Sequence, residues 1–342
     1  MLIRWLLLYI FLKAHYLQQF QILIFYKGDD ILDIFHTLTL QDKETFNNYC
    51  YKSNFTSYEY TFASLYLWRN LSKTTFAIID NTLIVKKNKE CYGNFFMIPY
   101  NYTQSKLNSI IELLLSYEKD SNNYSNSNVL SNNTHNLYLF GDVENFFIDD
   151  LRKYCSHKFE IVDSPDDYEY IYLTKDLINL SGKKYHSKKN LYNFFKKNYS
   201  FKISEINSPK IINDCLDLIR KWEKSKTFLS TELKIEYDVI RDVLINFYKL
   251  DLKSIAIYVD NTLAGFSIGE KYGDTAIIHI ERCDISFKGI YSFLNRTFLE
   301  MYFSDTLYVN RQEDCGNLGL RKSKESYHPI SYIKKCFIKI TD

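Results

Sequence analysis

The spacing of hydrophobic residues predicts a series of helices and strands that begins near residue 31. Apolar side chains recur at positions 107, 110, 111, 114 and 115, which is the spacing of one helix face. Runs of β-branched residues predict strands, and two of these runs are separated by a turn at Asn81-Thr82. In the first half of the chain the patterns predict helices at 42–52, 58–70, 105–119 and 144–154, and strands at 35–40, 75–80, 83–87, 137–140, 159–162 and 168–174.

A second series of elements in the same order begins after residue 178. Three β-branched runs are separated by Asp260-Asn261 and Gly273-Asp274, dipeptides typical of tight hairpins, so they predict an antiparallel meander. We expect an α+β fold of two tandem domains, 31–178 and 179–342, each a mixed, mainly antiparallel sheet flanked by helices. The second domain is predicted to hold helices at 184–198, 209–224, 231–250, 291–303 and 320–327, and strands at 201–206, 254–259, 262–271, 275–283, 306–310 and near the C-terminus.

Two segments depart from this pattern. Residues 121–136, SNNYSNSNVLSNNTHN, are too polar to be buried and predict a surface loop within the first domain. Residues 1–30 hold two apolar runs, each too short for a membrane-spanning helix. We interpret residues 1–30 as an accessory extension, with peripheral membrane contact or a signal sequence as the alternatives.

Charge and cysteine usage limit the classes of partner and site. The net charge of +2, from 43 basic and 41 acidic residues, creates no field that would attract nucleic acid or lipid to the whole molecule. The seven cysteines are scattered and never spaced as C-x-x-C, which argues against a disulfide framework and against a structural zinc site. We therefore expect a cytoplasmic protein without a metal ion.

A basic segment is the first candidate for a binding role. Residues 180–190, LSGKKYHSKKN, lead into a predicted helix with one basic face. Such a face could bind the phosphates of RNA or of a cofactor, and a solvated surface helix explains it equally well. The phosphate-binding candidates here are Lys184, His186, Lys188, Lys189 and Asn190.

The end of the strand predicted at 275–283 carries ionisable side chains. Strand alternation places His279, Glu281 and Cys283 on one face, which is one way to present a general base, although a cross-strand ion pair is equally consistent. The Lys288-Gly289 turn that follows would expose backbone N–H groups at a helix N-terminus, where an anion can bind. Gly289 alone does not make a full glycine-rich pyrophosphate loop.

The segment 310–329, NRQEDCGNLGLRKSKESYHP, places many charges around two glycines near the C-terminus. By spacing alone, the simpler interpretation is structural, with Arg311 and Arg321 paired to Glu313 and Asp314. The alternative is a site, and its candidates are Arg311 and Glu313 for catalysis, Arg321 and Lys324 for phosphate binding, and Asn310, Asp314 and Tyr327 for substrate binding.

Three segments together resemble a known family. They are residues 58–69 (YEYTFASLYLWR), 180–190 and 310–324, and they have the order and spacing of the family defined by the C-terminal domain of phosphatidylglycerol lysyltransferase. The resemblance runs from about residue 31 to the end. It implies two tandem GNAT-type N-acyltransferase domains with the working cleft near their interface, and it adds Glu59 and Arg69 as substrate-binding candidates.

The resemblance also implies an activity. An aminoacyl or acyl group would be transferred to an amine or hydroxyl acceptor, with aminoacyl-tRNA or acyl-CoA as co-substrate and no tightly bound cofactor. In the lysyltransferase itself, lysyl-tRNA is the donor and a phosphatidylglycerol headgroup is the acceptor. The membrane-embedded domain of that enzyme has no counterpart in this sequence, so a small molecule and a lipid headgroup both stay open as acceptors.

Three positions depart from the family pattern as the resemblance defines it. Gln312 stands where Glu is usual, Lys189 where Arg is usual, and Arg282 where Lys is usual. The loss of a carboxylate at Gln312 would impair the site if that position supplied the base. Two other functions therefore stay open, an acetyl-CoA-dependent acetylation of a small amine and a non-catalytic module that binds a ligand or RNA.

Overall fold

The computed structural model describes residues 34–90, 92–125, 138–224 and 231–341. The expectations for residues 1–30 lie outside these ranges, as does most of the loop predicted at 121–136. The helix predicted at 105–119 continues to Ser125, so the first residues of that loop are helical instead. Within the described ranges, no helix has both the length and the apolar character that crossing a membrane requires.

The first half of the described chain follows the predicted order of elements. The predictions miss one strand at Gly93–Phe96, because it is short and begins with Gly and Asn, residues of low strand propensity. The elements are β1 (His36–Thr37), α1 (Lys43–Cys50), α2 (Phe62–Trp68), β2 (Thr75–Ile79), β3 (Thr82–Lys89), β4 (Gly93–Phe96), α3 (Leu107–Ser125), β5 (Phe140–Val143), α4 (Asn145–Tyr154) and β6 (Phe159–Asp163).

The second half confirms the predicted meander and most of the predicted helices. The helix predicted at 231–250 ends at Asn246 and is followed by one 3₁₀ turn. The elements are β7 (Glu169–Leu173), α5 (Thr174–Asn179), α6 (His186–Asn198), β8 (Phe201–Ser204), α7 (Pro209–Lys224), α8 (Thr231–Asn246), β9 (Lys253–Val259), β10 (Thr262–Tyr272), β11 (Thr275–Cys283), α9 (Ile290–Tyr302), β12 (Tyr308–Asn310), α10 (Leu318–Glu325), β13 (Ser331–Ile333) and β14 (Cys336–Ile340).

Two seven-stranded sheets form, and each takes a strand from beyond the expected boundary at residue 178. The first sheet has the order β1-β2-β3-β4-β5-β14-β6, so the C-terminal strand lies between β5 and β6. The second has the order β13-β7-β12-β11-β10-β9-β8, and β7 pairs with both β12 and β13. The boundary itself stays a prediction, but the sheets are interleaved across it.

Tight turns join the strands of both meanders. Asp260 and Asn261 have φ angles of 47° and 63°, the left-handed values that a two-residue hairpin requires at both central positions. Asp80 and Asn81 have the same conformation, with φ of 48° and 60°. The first hairpin therefore turns one residue earlier than the Asn81-Thr82 prediction. Asp and Asn tolerate this conformation better than other side chains do.

Helices cover both faces of the second sheet. On one face, Phe195 of α6 and Phe293 of α9 contact each other with ring centroids 4.6 Å apart and pack in the same apolar cluster as Ile257 of β9. On the other face, Phe266 of β10 belongs to the apolar cluster that includes Val243 of α8 and residues of the first sheet. The α8 side of the second sheet therefore faces the first half of the molecule.

A buried ion network joins the two sheets. Lys335, in the link between β13 and β14, is 1% exposed, and its Nζ lies 3.2 Å from Glu59 Oε1, 3.4 Å from Glu169 Oε1 and 3.8 Å from Glu313 Oε2. Burial by itself would lower the pKa of Lys335, but the carboxylates of Glu59, Glu313 and Glu169 outweigh it and hold that pKa well above its ordinary value. Lys87, Lys89 and Asp142 extend the network on the first sheet.

Replacement of Lys335 by Met tests the network. We expect it to lower the free energy of unfolding by about 3–5 kcal/mol, because buried carboxylates would lose their counter-charge. The Lys334→Met variant is the matched control, since Lys334 is the exposed neighbouring residue. Urea-induced unfolding measures both. Equal stabilities of the two variants would contradict a role for the network in joining the sheets.

Candidate active site

Ionisable side chains meet where two parallel strands of the second sheet separate. Strands β11 and β12 pair only from Thr275–Tyr308 to Ile277–Asn310. The chain then leaves the sheet after Asn310, while β11 continues to Cys283. Side chains from the second half of β11 and from the segment after β12 therefore meet across the gap.

Arg311 and Glu281 form the centre of this group of side chains. Arg311 Nη2 lies 3.1 Å from Glu281 Oε1, and Asn295 of α9 donates to Glu281 Oε2 at 3.2 Å. The guanidinium of Arg311 stands 4.8 Å from the centre of the Tyr327 ring, and Lys188 Nζ stands 4.1 Å from the same centre. We call these five residues, Lys188, Glu281, Asn295, Arg311 and Tyr327, which lie beside the point where β11 and β12 separate, the Glu281 cleft.

Basic side chains outnumber acidic ones in the Glu281 cleft. Burial and the nearby Arg311 charge lower the pKa of Lys188, Glu281 offsets part of the shift, and the resulting pKa is about 8. Arg311 Nη1 is buried and has no hydrogen-bond partner in the described part of the chain. Two cationic groups thus face one carboxylate, and the N–H bonds of Arg311 Nη1 have no acceptor among the described residues.

A β-bulge separates His279 from Glu281, contrary to the sequence prediction. Ile268 of β10 pairs with Ile280 and the next residue pairs with Ile278, so His279 has no partner on β10. Because the extra residue reverses the alternation, Glu281 reaches Asn295 of α9 while His279 faces the opposite side. The prediction that both side chains share one face is wrong, and His279 does not line the Glu281 cleft.

His279 instead links Gln312 to the first half of the molecule. The Gln312 side-chain amide lies 3.1 Å from His279 Nδ1, and His279 Nε2 lies 2.9 Å from Glu270 Oε1. Thr61, the N-cap of α2, donates to the same Glu270 oxygen at 2.6 Å. With the Gln312 amide donating to Nδ1, the ring proton is on Nε2 and points to Glu270. At this position a neutral Gln completes a hydrogen-bond chain.

Glu313 faces a third direction, toward the ion network. Tyr58 donates to Glu313 Oε1 at 2.8 Å, and Lys335 lies on the other side of the carboxylate. Asn310, fully buried, donates to Glu169 Oε2 at 2.6 Å. The structure therefore places Glu59, Asn310 and Glu313 in the ion network, and their catalytic or substrate-binding roles stay predictions.

Lys324 and Arg321 of α10 hold the segment after β12. Lys324 Nζ donates to the carbonyl oxygens of Arg311 at 2.7 Å, Gln312 at 3.0 Å and Glu313. Arg321 pairs with Asp314 at 2.8 Å, as the structural interpretation of this segment predicts, and with Asp166 at 2.6 Å. Arg311 pairs with Glu281 instead of with an acid of its own segment. Neither Lys324 nor Arg321 has a donor directed into the Glu281 cleft.

Most of the predicted phosphate ligands in the first turn of α6 and in the 3₁₀ turn before it lie on the outer surface. Lys184, His186, Lys189 and Asn190 are exposed, and only Lys188 of this set turns inward to the cleft. Lys184 pairs with Asp176 at 3.5 Å, and the Asn190 amide lies 3.3 Å from His186 Nδ1. The basic outer face is therefore separate from the cleft but is carried by the same helix.

The Lys288-Gly289 turn packs against α6. The Lys288 N–H donates to the Tyr199 hydroxyl at 3.2 Å, and the Lys288 ammonium lies 4.7 Å from the centre of the Phe194 ring. Gly289 has a φ of 89°, and a side chain there would overlap the carbonyl oxygen of Leu191. This turn is used for helix packing, and phosphate binding by it stays a prediction.

Arg69 lies outside the cleft as well. It donates to Asp242 of α8 at 2.7 Å and to the Tyr66 carbonyl at 2.6 Å, so it joins α2 to α8.

The first sheet has a parallel pair of its own, β4 and β5, joined at Phe96 and Phe140. A Cβ on Gly141 beside that pair would lie 2.6 Å from the Phe337 ring, so aromatic side chains fill this space. The charged cleft belongs to the second sheet.

Sequence reasoning missed Asn295, Glu169, Asp142, Lys87 and Lys335. Lys87 stands within the strand TLIVKKNK, and Lys335 precedes the strand CFIKI. A lysine in or beside an apolar strand is expensive to bury unless it is paired, so these positions carried a signal. Asn295 carried none, because an Asn on a helix is usually exposed. In the described ranges, no group of His, Cys, Asp and Glu is arranged to hold a metal ion.

Comparison with known proteins supports the fold and the family. A family model described as "Phosphatidylglycerol lysyltransferase, C-terminal" matches residues 52–338. An uncharacterised protein of Mycoplasmoides gallisepticum is 27% identical over 209 residues, which cover 58% of this chain and 66% of that protein. A conserved protein of unknown function from Bacteroides thetaiotaomicron aligns with a TM-score of 0.79 at 27% identity, over 90% of this chain and 99% of that chain.

The L-PGS structure from Bacillus licheniformis aligns with a TM-score of 0.52 over 87% of this chain and 92% of that chain. At 13% identity this similarity shows a shared fold. The predicted tandem GNAT-like α+β fold is therefore confirmed.

The rate at which Lys188 reacts with an amine-specific reagent tests the charge balance of the Glu281 cleft. Its rate–pH profile should have a midpoint near 8, below the ordinary lysine value of about 10.4. Glu281→Gln should move the Lys188 midpoint lower still, because the carboxylate stabilises the ammonium. Peptide mass spectrometry measures the modification of Lys188 at each pH. A Lys188 midpoint at the ordinary lysine value, or one that Glu281→Gln leaves unchanged, would contradict this description of the cleft.

Proposed function

The chain belongs to the family of the phosphatidylglycerol lysyltransferase C-terminal domain, and we propose that it transfers an aminoacyl group to an amine or hydroxyl acceptor in the Glu281 cleft. The observation that carries this proposal is the convergence of Glu281, Arg311 and Lys188 where β11 and β12 separate. A carboxylate and two cations at one point supply a proton acceptor and a stabiliser for an oxyanion.

Each group in the cleft has one step to perform. The acceptor gives its N–H or O–H proton to the Glu281 carboxylate as its nitrogen or oxygen attacks the ester carbonyl of the donor. Negative charge then develops on the carbonyl oxygen, where Arg311 Nη1 and the Lys188 ammonium can receive it. Collapse of the intermediate breaks the bond to the donor hydroxyl, and the proton held by Glu281 passes to that leaving oxygen.

The surroundings of the cleft favour aminoacyl-tRNA over acyl-CoA as the donor. The exposed Lys189 lies on the helix that also carries Lys188, and the exposed Lys184 lies in the 3₁₀ turn just before it, so a polyanion on the outer face of α6 would have its end near the cleft. A CoA pyrophosphate needs free backbone N–H groups, and the Lys288 N–H is already bonded to Tyr199. The acceptor is a small molecule or a lipid headgroup.

Label transfer from charged tRNA tests the proposed function. The purified protein is incubated with a mixed pool of radiolabelled aminoacyl-tRNAs and a cell extract, and the labelled product is then fractionated. We expect transfer with the wild type and a loss of about 10²–10⁴-fold with Glu281→Gln, since the proton acceptor would be absent. The matched control is Glu325→Gln, a change at an exposed residue of α10 that should leave transfer intact.

Two outcomes would replace this proposal. Saturable thermal stabilisation by acetyl-CoA, without label transfer from any tRNA, would establish acetylation of a small amine as the better hypothesis. If Glu281→Gln and Arg311→Ala bound aminoacyl-tRNA as well as the wild type and no product ever formed, the chain would be a non-catalytic binding module.

A further inference from the structure

We infer that Lys324 is a positioning residue of the Glu281 cleft, because its ammonium fixes the backbone of residues 311–313 and so holds Arg311 against Glu281. This inference deepens the proposed function, since it concerns how the same cleft is built. The sequence suggested a different role for Lys324, the binding of a donor phosphate.

All the donors of Lys324 are used within the protein. Its side chain comes from the last turn of α10 and is 6% exposed. An ammonium group has three N–H bonds, and the carbonyl oxygens of Arg311, Gln312 and Glu313 accept all of them. Burial lowers the pKa of Lys324 to about 8, with Glu313 offsetting part of the shift, so the ammonium form prevails at pH 7. No donor is left for a phosphate.

The segment that Lys324 holds lies beyond the regular pairing of β11 and β12 and contains a strained residue. It follows the last paired residue of β12, and Gln312 has a φ of 60°, a strained value for a residue other than glycine. Its other backbone contacts are two hydrogen bonds with Tyr170 of β7, from the Arg311 N–H to the Tyr170 carbonyl at 3.1 Å and from the Tyr170 N–H to the Gln312 carbonyl at 3.2 Å, and one from the Gln312 N–H to Asn310 Oδ1 at 2.8 Å. Three carbonyl groups converging on one point repel each other unless a cation lies between them.

Because the carbonyl groups of residues 311–313 all point to Lys324, the side chains of these residues point in three different directions. Arg311 enters the Glu281 cleft, Gln312 contacts His279, and Glu313 contacts Tyr58. Rotation of the peptide bond that follows Arg311 would break the contact between its carbonyl oxygen and Lys324. The ammonium therefore couples the direction of Arg311 to the position of α10.

The titration of Lys188 reports on Arg311 without any assay of activity. The groups that face Lys188 are Arg311, Glu281 and Tyr327, and the Arg311 charge contributes to its low pKa. If Lys324→Met lets Arg311 move away, the midpoint of Lys188 modification should rise from about 8 toward the ordinary lysine value. Modification of Lys188 at pH 8 should then slow several-fold.

The experiment compares four variants by peptide mass spectrometry. Lys324→Met and Arg311→Gln should raise the Lys188 midpoint, and the double variant should raise it no further than Arg311→Gln alone, because each change takes the same charge, that of Arg311, away from Lys188. Lys322→Met, an exposed change on the same helix, should leave the midpoint unchanged.

A Lys324→Met variant that unfolds more easily but keeps the wild-type Lys188 midpoint would overturn the inference and leave Lys324 a purely structural residue. Should Lys324→Met fail to fold, Lys324→Arg keeps the charge, but a planar guanidinium cannot reach three carbonyls around one point. The Lys188 midpoint should also rise in the Lys324→Arg variant, and an unchanged Lys188 midpoint would again overturn the inference. Absence of label transfer in the wild type would sink the proposed function without altering these midpoints.

Discussion

The ammonium group of Lys324, inserted between three consecutive carbonyl groups, determines the geometry on which the candidate site depends. Its contacts with Arg311, Gln312 and Glu313 send their side chains to three different parts of the molecule. One peptide segment thereby takes part in the Glu281 cleft, in the hydrogen-bond chain through His279 and in the buried ion network. A structural change in the cleft, in the hydrogen-bond chain or in the ion network would therefore alter the other two.

Strand exchange gives this segment its fixed surroundings. Strand β7 joins the second sheet next to β12, and the C-terminal strand β14 returns to the first sheet. The link between β13 and β14 brings Lys335 to Glu59 and Glu313. These ion pairs connect the C-terminal part of the chain to a residue of its first half. Placing a lysine among buried carboxylates is unfavourable unless all partners are held in place, which the interleaved sheets accomplish.

Local features of the fold could be predicted from the sequence, and long-range ones could not. Helix α7 and the β9–β11 meander follow from residue spacing and turn dipeptides, which act over a few positions. The place of β14 depends on pairing with a strand almost two hundred residues earlier, which no local pattern encodes. Among the site residues, Glu281, Arg311 and Lys188 were predicted and do converge. His279 was misplaced because the bulge in β11 depends on the register with β10, and Lys324 because its partners are backbone atoms.

In the proposed reaction, the Glu281 cleft receives the reacting carbonyl of the donor. A crystal structure with a non-hydrolysable aminoacyl-adenosine analogue, in which an amide replaces the ester, would test this directly. The amide oxygen should lie within hydrogen-bond distance of Arg311 Nη1 or Lys188 Nζ, with Glu281 beside the carbonyl carbon. An analogue bound with its carbonyl group away from Glu281, Arg311 and Lys188 would contradict this role of the cleft.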